Sequence, residues 1–118
     1  MPTLRKTRQT MVSRPLPHCH DGLGEIAWTG VLGGEELKGR HLRFFHDDVL
    51  PPGTSIGVHR HRDDEEYYYI LEGQGIMTLD GERLPVGPGD ITAVFPGGEH
   101  GLENTGTAVL RVLVFSVA

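Results

Sequence analysis

Short apolar runs separated by glycine and proline dominate the chain from Glu25 to its end. Ile26-Ala27-Trp28-Thr29-Gly30-Val31-Leu32 reads as a strand that starts at Glu25, and His41-Leu42-Arg43-Phe44-Phe45-His46 as the next, with Val49-Leu50 leading into the breaker Pro51-Pro52-Gly53. Five more runs follow at close spacing: Ser55–His61, Glu66–Leu71, Ile76–Leu79, Ile91–Phe95 and His100–Glu103. Leu84-Pro85-Val86 is a shorter piece, and Val109–Val117 is a long apolar strand that closes the chain. Asp80-Gly81 is a two-residue hairpin signal, because both positions tolerate the left-handed backbone that such a turn needs. The one helical signal, Glu35-Glu36-Leu37-Lys38 between Gly33 and Gly39, is too short to stand alone. Short strands with turn signals every eight to twelve residues predict an all-β sandwich or barrel.

One strand departs from simple alternation. If Glu66 points inward, Tyr68 and Ile70 share its face, and Tyr67, Tyr69 and Leu71 occupy the other. Both faces are then largely apolar, so something must cover the outer one: the strand Ile26–Leu32, the N-terminal segment, or a second copy of the chain. A homodimer is expected, since a twofold partner is the commonest cover.

Composition narrows the class. The chain has 118 residues, 17 Gly and 8 Pro, which suits one domain rich in tight turns. Met1–Pro17 carries Arg5, Lys6, Arg8 and Arg14 without an acid and reads as a flexible basic arm, leaving residues 18–118 as the barrel domain. A formal net charge of −5 argues against nucleic acid as a partner. Cys19 is the one cysteine, which excludes an internal disulfide and fits a reducing, cytoplasmic setting. No stretch is apolar enough to span a membrane as a helix, and no apolar run follows the first charges as a secretory signal requires.

The chemistry lies in His59-Arg60-His61 and the acids after it. A His-x-His pair on a strand puts both imidazoles on one face, and a carboxylate from the next strand with a third imidazole from elsewhere makes a mixed nitrogen and oxygen site for a divalent metal. Asp63, Asp64 and Glu65 read as a solvated loop. His18-Cys19-His20 looks like a metal tract, but Cys19 faces away from both histidines on a strand and no second ligand pair follows at finger spacing. A role beside the site or in a substrate pocket suits it better. His41 and His46 read as ordinary surface or interstrand histidines, and Asp90 as a turn residue.

These residues resemble the cupin superfamily. Its first motif is written G-x5-H-x-H-x3,4-E-x6-G, and Gly53, His59, His61, Glu66 and Gly73 fit every spacing. Glu65 fits the shorter gap, but only Glu66 stands seven residues before Gly73. The second, G-x5-P-x-G-x2-H-x3-N, is met by Gly89, His100 and Asn104, while Pro96 and Gly98 are displaced by one position, which implies a reshaped turn. The resemblance covers residues 53–104. It implies a single-domain double-stranded β-helix, a jelly-roll barrel of two sheets, with one divalent metal (manganese, iron, nickel or zinc) held by His59, His61, Glu66 and His100. It also looks like the small, single-domain cupins labelled oxalate-decarboxylase-like. Two familiar enzyme types of the superfamily fit poorly: oxalate decarboxylases have two barrels, and germin-type oxidases have a signal and a cystine. Tyr68 and Met77 are candidate pocket walls, and Glu66 is also a candidate general base.

Such a site leaves about two octahedral positions open, which suits a small bidentate ligand such as a dicarboxylate, 2-oxo acid, enediol or catechol. Three function classes follow: a metal-dependent enzyme (decarboxylase, dioxygenase, isomerase or hydrolase), a non-catalytic small-molecule-binding module, and a sensor domain. The acidic charge and lack of a helix-turn-helix pattern disfavour the last.

Overall fold

The computed structural model describes residues 3–37 and 41–118. Met1 and Pro2, at the start of the expected arm, and Lys38, at the end of the expected helical turn, lie outside these. The described residues form ten strands: β1 (Val12–Pro17), β2 (Glu25–Gly33), β3 (Leu42–Leu50), β4 (Ser55–Arg60), β5 (Glu65–Glu72), β6 (Gly75–Leu79), β7 (Glu82–Val86), β8 (Ile91–Val94), β9 (Glu99–Glu103) and β10 (Leu110–Val117). Helix among them is limited to three single 3-10 turns. Among the described residues no helix is long and apolar enough to cross a membrane.

Two antiparallel sheets face each other, six strands in the order β1-β2-β3-β10-β5-β8 and four in the order β4-β9-β6-β7. Alternation decides what lies between them. On β10, Leu110, Val112, Val114 and Ser116 are buried, while the residues between them are half-buried. Ile26, Leu50, Tyr68 and Ile70 from the large sheet join Ile56, Met77, Val86 and Leu102 from the small one in a single core. Each such side chain contributes on the order of 1.5–3 kcal/mol when fully buried. The Asp80-Gly81 hairpin forms as its sequence demands, with both residues at positive φ (47° and 83°) between β6 and β7.

The N-terminal segment differs from the expectation of a free arm. Val12–Pro17 pairs along its whole length with β2. Its Pro15 and Pro17 argue against a strand in the sheet interior, but an edge strand tolerates proline because one row of its amides needs no partner. Arg8 fastens the preceding residues, donating to Asp47 Oδ2 at 2.8 Å and to Thr29 Oγ1 at 3.3 Å. The strand Ile26–Leu32 does not cover the outer face of β5. It lies within the large sheet, beside β3.

Candidate metal centre

β4 delivers His59 and leaves His61 just past its end. Two backbone hydrogen bonds fix that position: His61 N–H donates to Gly98 O (3.0 Å), and Gly97 N–H donates to His61 O (2.7 Å). The Pro96-Gly97-Gly98 turn, in which the proline is displaced but Gly97 stands at the motif's glycine position with φ 96°, is therefore what holds the His61 backbone. β9 pairs with β4 so that His100 lies directly opposite His59. Glu66 comes from the start of β5, in register with Ser116 of β10.

The four side chains converge. One ligand atom from each of His59, His61, Glu66 and His100 falls within 4.8 Å of the others. His100 Nε2 is 3.1 Å from His59 Nε2, 3.1 Å from His61 Nε2 and 2.9 Å from Glu66 Oε1. Glu66 Oε1 is 3.6 Å from His59 Nε2 and 3.3 Å from His61 Nε2. Donors about 2.0–2.2 Å from a shared ion, at the angles of a tetrahedron or octahedron, stand roughly 3–3.5 Å apart. The spacing therefore fits a cation at the centre.

Proton positions agree. His59 Nδ1 lies 2.7 Å from Gly57 O, and His61 Nδ1 lies 3.0 Å from Asp64 Oδ1. Each contact needs a proton on Nδ1, so Nε2 carries the lone pair toward the centre. His100 Nδ1 is buried without a protein partner. Burial lowers the His100 pKa, against the pull of Glu66, and so favours the neutral ring that a metal needs. Burial works against the charge of Glu66, but the surrounding histidines, His100 first and then His59 and His61, outweigh it and hold the carboxyl well below its ordinary range.

The surroundings show what the sequence left out. Asp64 is no solvated loop acid: besides His61 it accepts a hydrogen bond from Ser116 Oγ, so the carboxylate that aims His61 is itself held by β10. Its partner at a spacing of three, His61-Arg62-Asp63-Asp64, was the available signal. His20 stacks on His59 with ring centroids 3.6 Å apart and planes 10° from parallel. It sits in the Cys19–Asp21 turn, which crosses β4 so closely that a Cβ on Gly57 would collide with His20 O. Of the two candidate wall residues, Tyr68 is buried with its ring 4.5 Å from that of His100. Met77 is fully buried in the core, in register with Leu84 and Leu102. Cys19 is packed against the core, and burial, with Asp48 and Glu66 nearby, raises its thiol pKa to about 11.

A barrel of this topology with this cluster inside can be compared with known proteins. Residues 47–116 match the Cupin domain family. The chain belongs to the cupin family. Its relatives include an oxalate-binding protein of Thermotoga maritima, 37% identical over 92 residues that make up 78% of this chain and 75% of that one. An uncharacterized protein of Methanocaldococcus jannaschii is 43% identical over 68 residues, 58% of this chain and 54% of that protein, so this cupin spans about half the length of that relative. Among solved structures, that of a predicted oxalate decarboxylase from Thermotoga maritima superposes with a TM-score of 0.89 at 30% identity, covering 97% of this chain and 98% of the other. A polyketide cyclase from Streptomyces resistomycificus shares the fold, with a TM-score of 0.77 at 20% identity over 98% of this chain and 79% of that one.

Proposed function

We propose that this cupin binds one divalent metal through His59, His61, Glu66 and His100, and acts on or holds a small, oxygen-rich chelating acid at that metal. The observation that carries the reading is the convergence of three imidazole nitrogens and one carboxylate oxygen at mutual distances suited to a shared ion. Manganese, iron, nickel and zinc all accept this donor set. A metal held there supplies Lewis-acid polarisation of substrate oxygens.

The protein's own groups have separate tasks. Asp64 and the Gly57 carbonyl fix the tautomers of His61 and His59. The ionised Glu66 contributes the one negative charge among the four donors. A general-base role for Glu66 is a second variant, and it requires the carboxylate to swing away from its three histidine neighbours. The buried Tyr68 ring keeps water from the inner side of His100.

The substrate class is drawn from a carboxylate, 2-oxo acid or enediol. The oxalate-binding relative favours a dicarboxylate, and its name equally supports a reading in which this chain binds such a molecule without turning it over. Thermal unfolding tests the shared claim. Oxalate should raise the melting temperature of metal-loaded protein and leave chelator-treated protein unchanged, because a ligand specific for the loaded native state stabilises it by mass action. Equal shifts with and without metal would refute it. Product formation from oxalate or a 2-oxo acid then separates enzyme from binding module.

A further inference from the structure

Two of the three imidazoles at the centre are held from inside the fold. His100 is fully buried on β9, between β4 and β6, with the Tyr68 ring 4.5 Å away. His61 is aimed by Asp64, which Ser116 of β10 anchors in turn. His59 is placed less securely. β4 lies at the edge of its sheet, with β9 its one strand partner among the described residues. That pairing loses register between Ile56 and His59. The Nδ1 of His59 meets a carbonyl two residues back on the same strand, that of Gly57. An edge strand with interrupted pairing opens more readily than a paired one, so a ligand on it needs support from elsewhere.

The Cys19–Asp21 turn supplies that support. Ser55 N–H donates to Leu23 O at 2.9 Å, and Leu23 N–H donates to Ser55 Oγ at 2.8 Å, so the segment after the turn is bonded to β4. Two glycines let the backbones meet: a Cβ on Gly22 would collide with Ser55 O, and one on Gly57 with His20 O. His18, His20 and Asp21 all lie in the left-handed region, with φ of 48°, 50° and 62°. Side-chain-bearing residues adopt that conformation at a cost in free energy, and such residues cluster at functional sites. The strained path turns Cys19 toward the core and lays His20 face to face on His59, with centroids 3.6 Å apart and planes 10° from parallel. His20 is exposed, and His59 beneath it is half-buried. The four-donor cluster does not include His20.

Resting on the metal reading above, we infer that His20 is a positioning residue of the metal centre. Its ring fixes the plane in which His59 Nε2 meets the ion, and it works through its flat face, not through its nitrogens. A metal-bound imidazole carries part of the charge of the ion, and an aromatic face stacked on it is attracted to that charge. The stack therefore strengthens when metal is bound.

Cobalt(II) tests this, because it accepts the same nitrogen and oxygen donors and its visible absorption reports the geometry of the site. His20→Asn removes the ring and keeps a residue that tolerates the left-handed backbone. His20→Phe keeps a ring and removes the nitrogens. In competition with a chelator, His20→Asn should bind cobalt about fivefold more weakly than the unmodified chain, the loss of one aromatic contact, and its visible spectrum should change. His20→Phe should restore both affinity and spectrum. Unmodified affinity and spectrum in His20→Asn would overturn the inference. A His20→Phe no better than His20→Asn would also overturn it, by assigning the role to a ring nitrogen. Weaker binding with an unchanged spectrum and a lower melting temperature of metal-free protein would overturn it by giving His20 a part in folding alone. Each of these three results leaves the metal reading standing. Failure of the unmodified chain to bind cobalt would overturn the metal reading and the inference with it.

Discussion

Asp64 shows how little of a site's support a spacing rule carries. The positions of His59, His61, Glu66 and His100 were legible because period two and motif spacing place ligands on inward faces, and the structure gathers those four. Asp64 lay hidden in an acidic run where every residue looks solvated, and its role depends on Ser116, fifty-two residues away. Asp64→Ala should weaken metal affinity about 10–100-fold, as loss of a carboxylate behind a ligating histidine does. Competition with a chelator of known affinity measures it, and unchanged affinity would show that the Gly98 and Gly97 backbone contacts alone orient His61. Cys19 gives a second prediction at this scale. With a pKa raised from 9.0 to about 11, chiefly by burial, its thiol should resist alkylation in native protein at pH 8 and react once the chain is unfolded. Rapid native labelling would contradict its placement against the core. The contact between His46 and Asp48 was hidden for a different reason: a His-x-Asp pair on one strand face is a signal, but only the fold reveals that the acid is buried.

Strand order and turn chemistry explain which elements could be read. β2, β4, β5, β6 and β10 announce themselves as short apolar runs between turn residues. β1 does not, since Leu16 is its one inward apolar position that reaches the core and two of its six residues are proline. Asn104 is the element that ties the second motif to the fold. Its side-chain amide donates to Leu50 O at 2.8 Å and Ala108 O at 2.9 Å, and its carbonyl accepts from Gly106 N–H at 3.0 Å. Asn104→Ala should therefore cost about 1–3 kcal/mol in urea unfolding, without directly removing a metal donor. A neutral result would mean that water replaces all three bonds. Asp47 makes the pH prediction. Hydrogen bonding from Arg111, opposed by burial and reinforced by Arg8, holds its carboxyl below 3.8. A depressed folded-state pKa adds stability above the unfolded value, and that stability is lost as pH falls through the folded one. The melting-temperature gap between native protein and Arg111→Gln should accordingly be full at pH 6 and shrink below pH 4. A gap that widens on acidification would contradict the pairing.

At the scale of the whole molecule, the outer face of the large sheet remains the conspicuous surface. Phe45, Phe115 and Tyr67 form a stacked row across β3, β10 and β5, with centroids 5.5 and 5.0 Å apart. Tyr69 at 37%, Ile91 at 57% and Phe95 at 57% exposed extend it. Arg8 ties the N-terminal segment to this sheet at Asp47 and Thr29. Soluble monomers rarely show contiguous apolar faces of this kind, so a homodimer closing over Tyr67, Tyr69 and Leu71 is the expected state. Sedimentation at micromolar concentration checks it, and a clean monomer would contradict it. The central claim is metal at the four-ligand centre. Elemental analysis of protein purified without chelator and without a nickel column should find about one divalent ion per chain, and the double variant His59→Ala/His61→Ala, folded by circular dichroism, should hold none. Full metal retention in that variant would contradict the account.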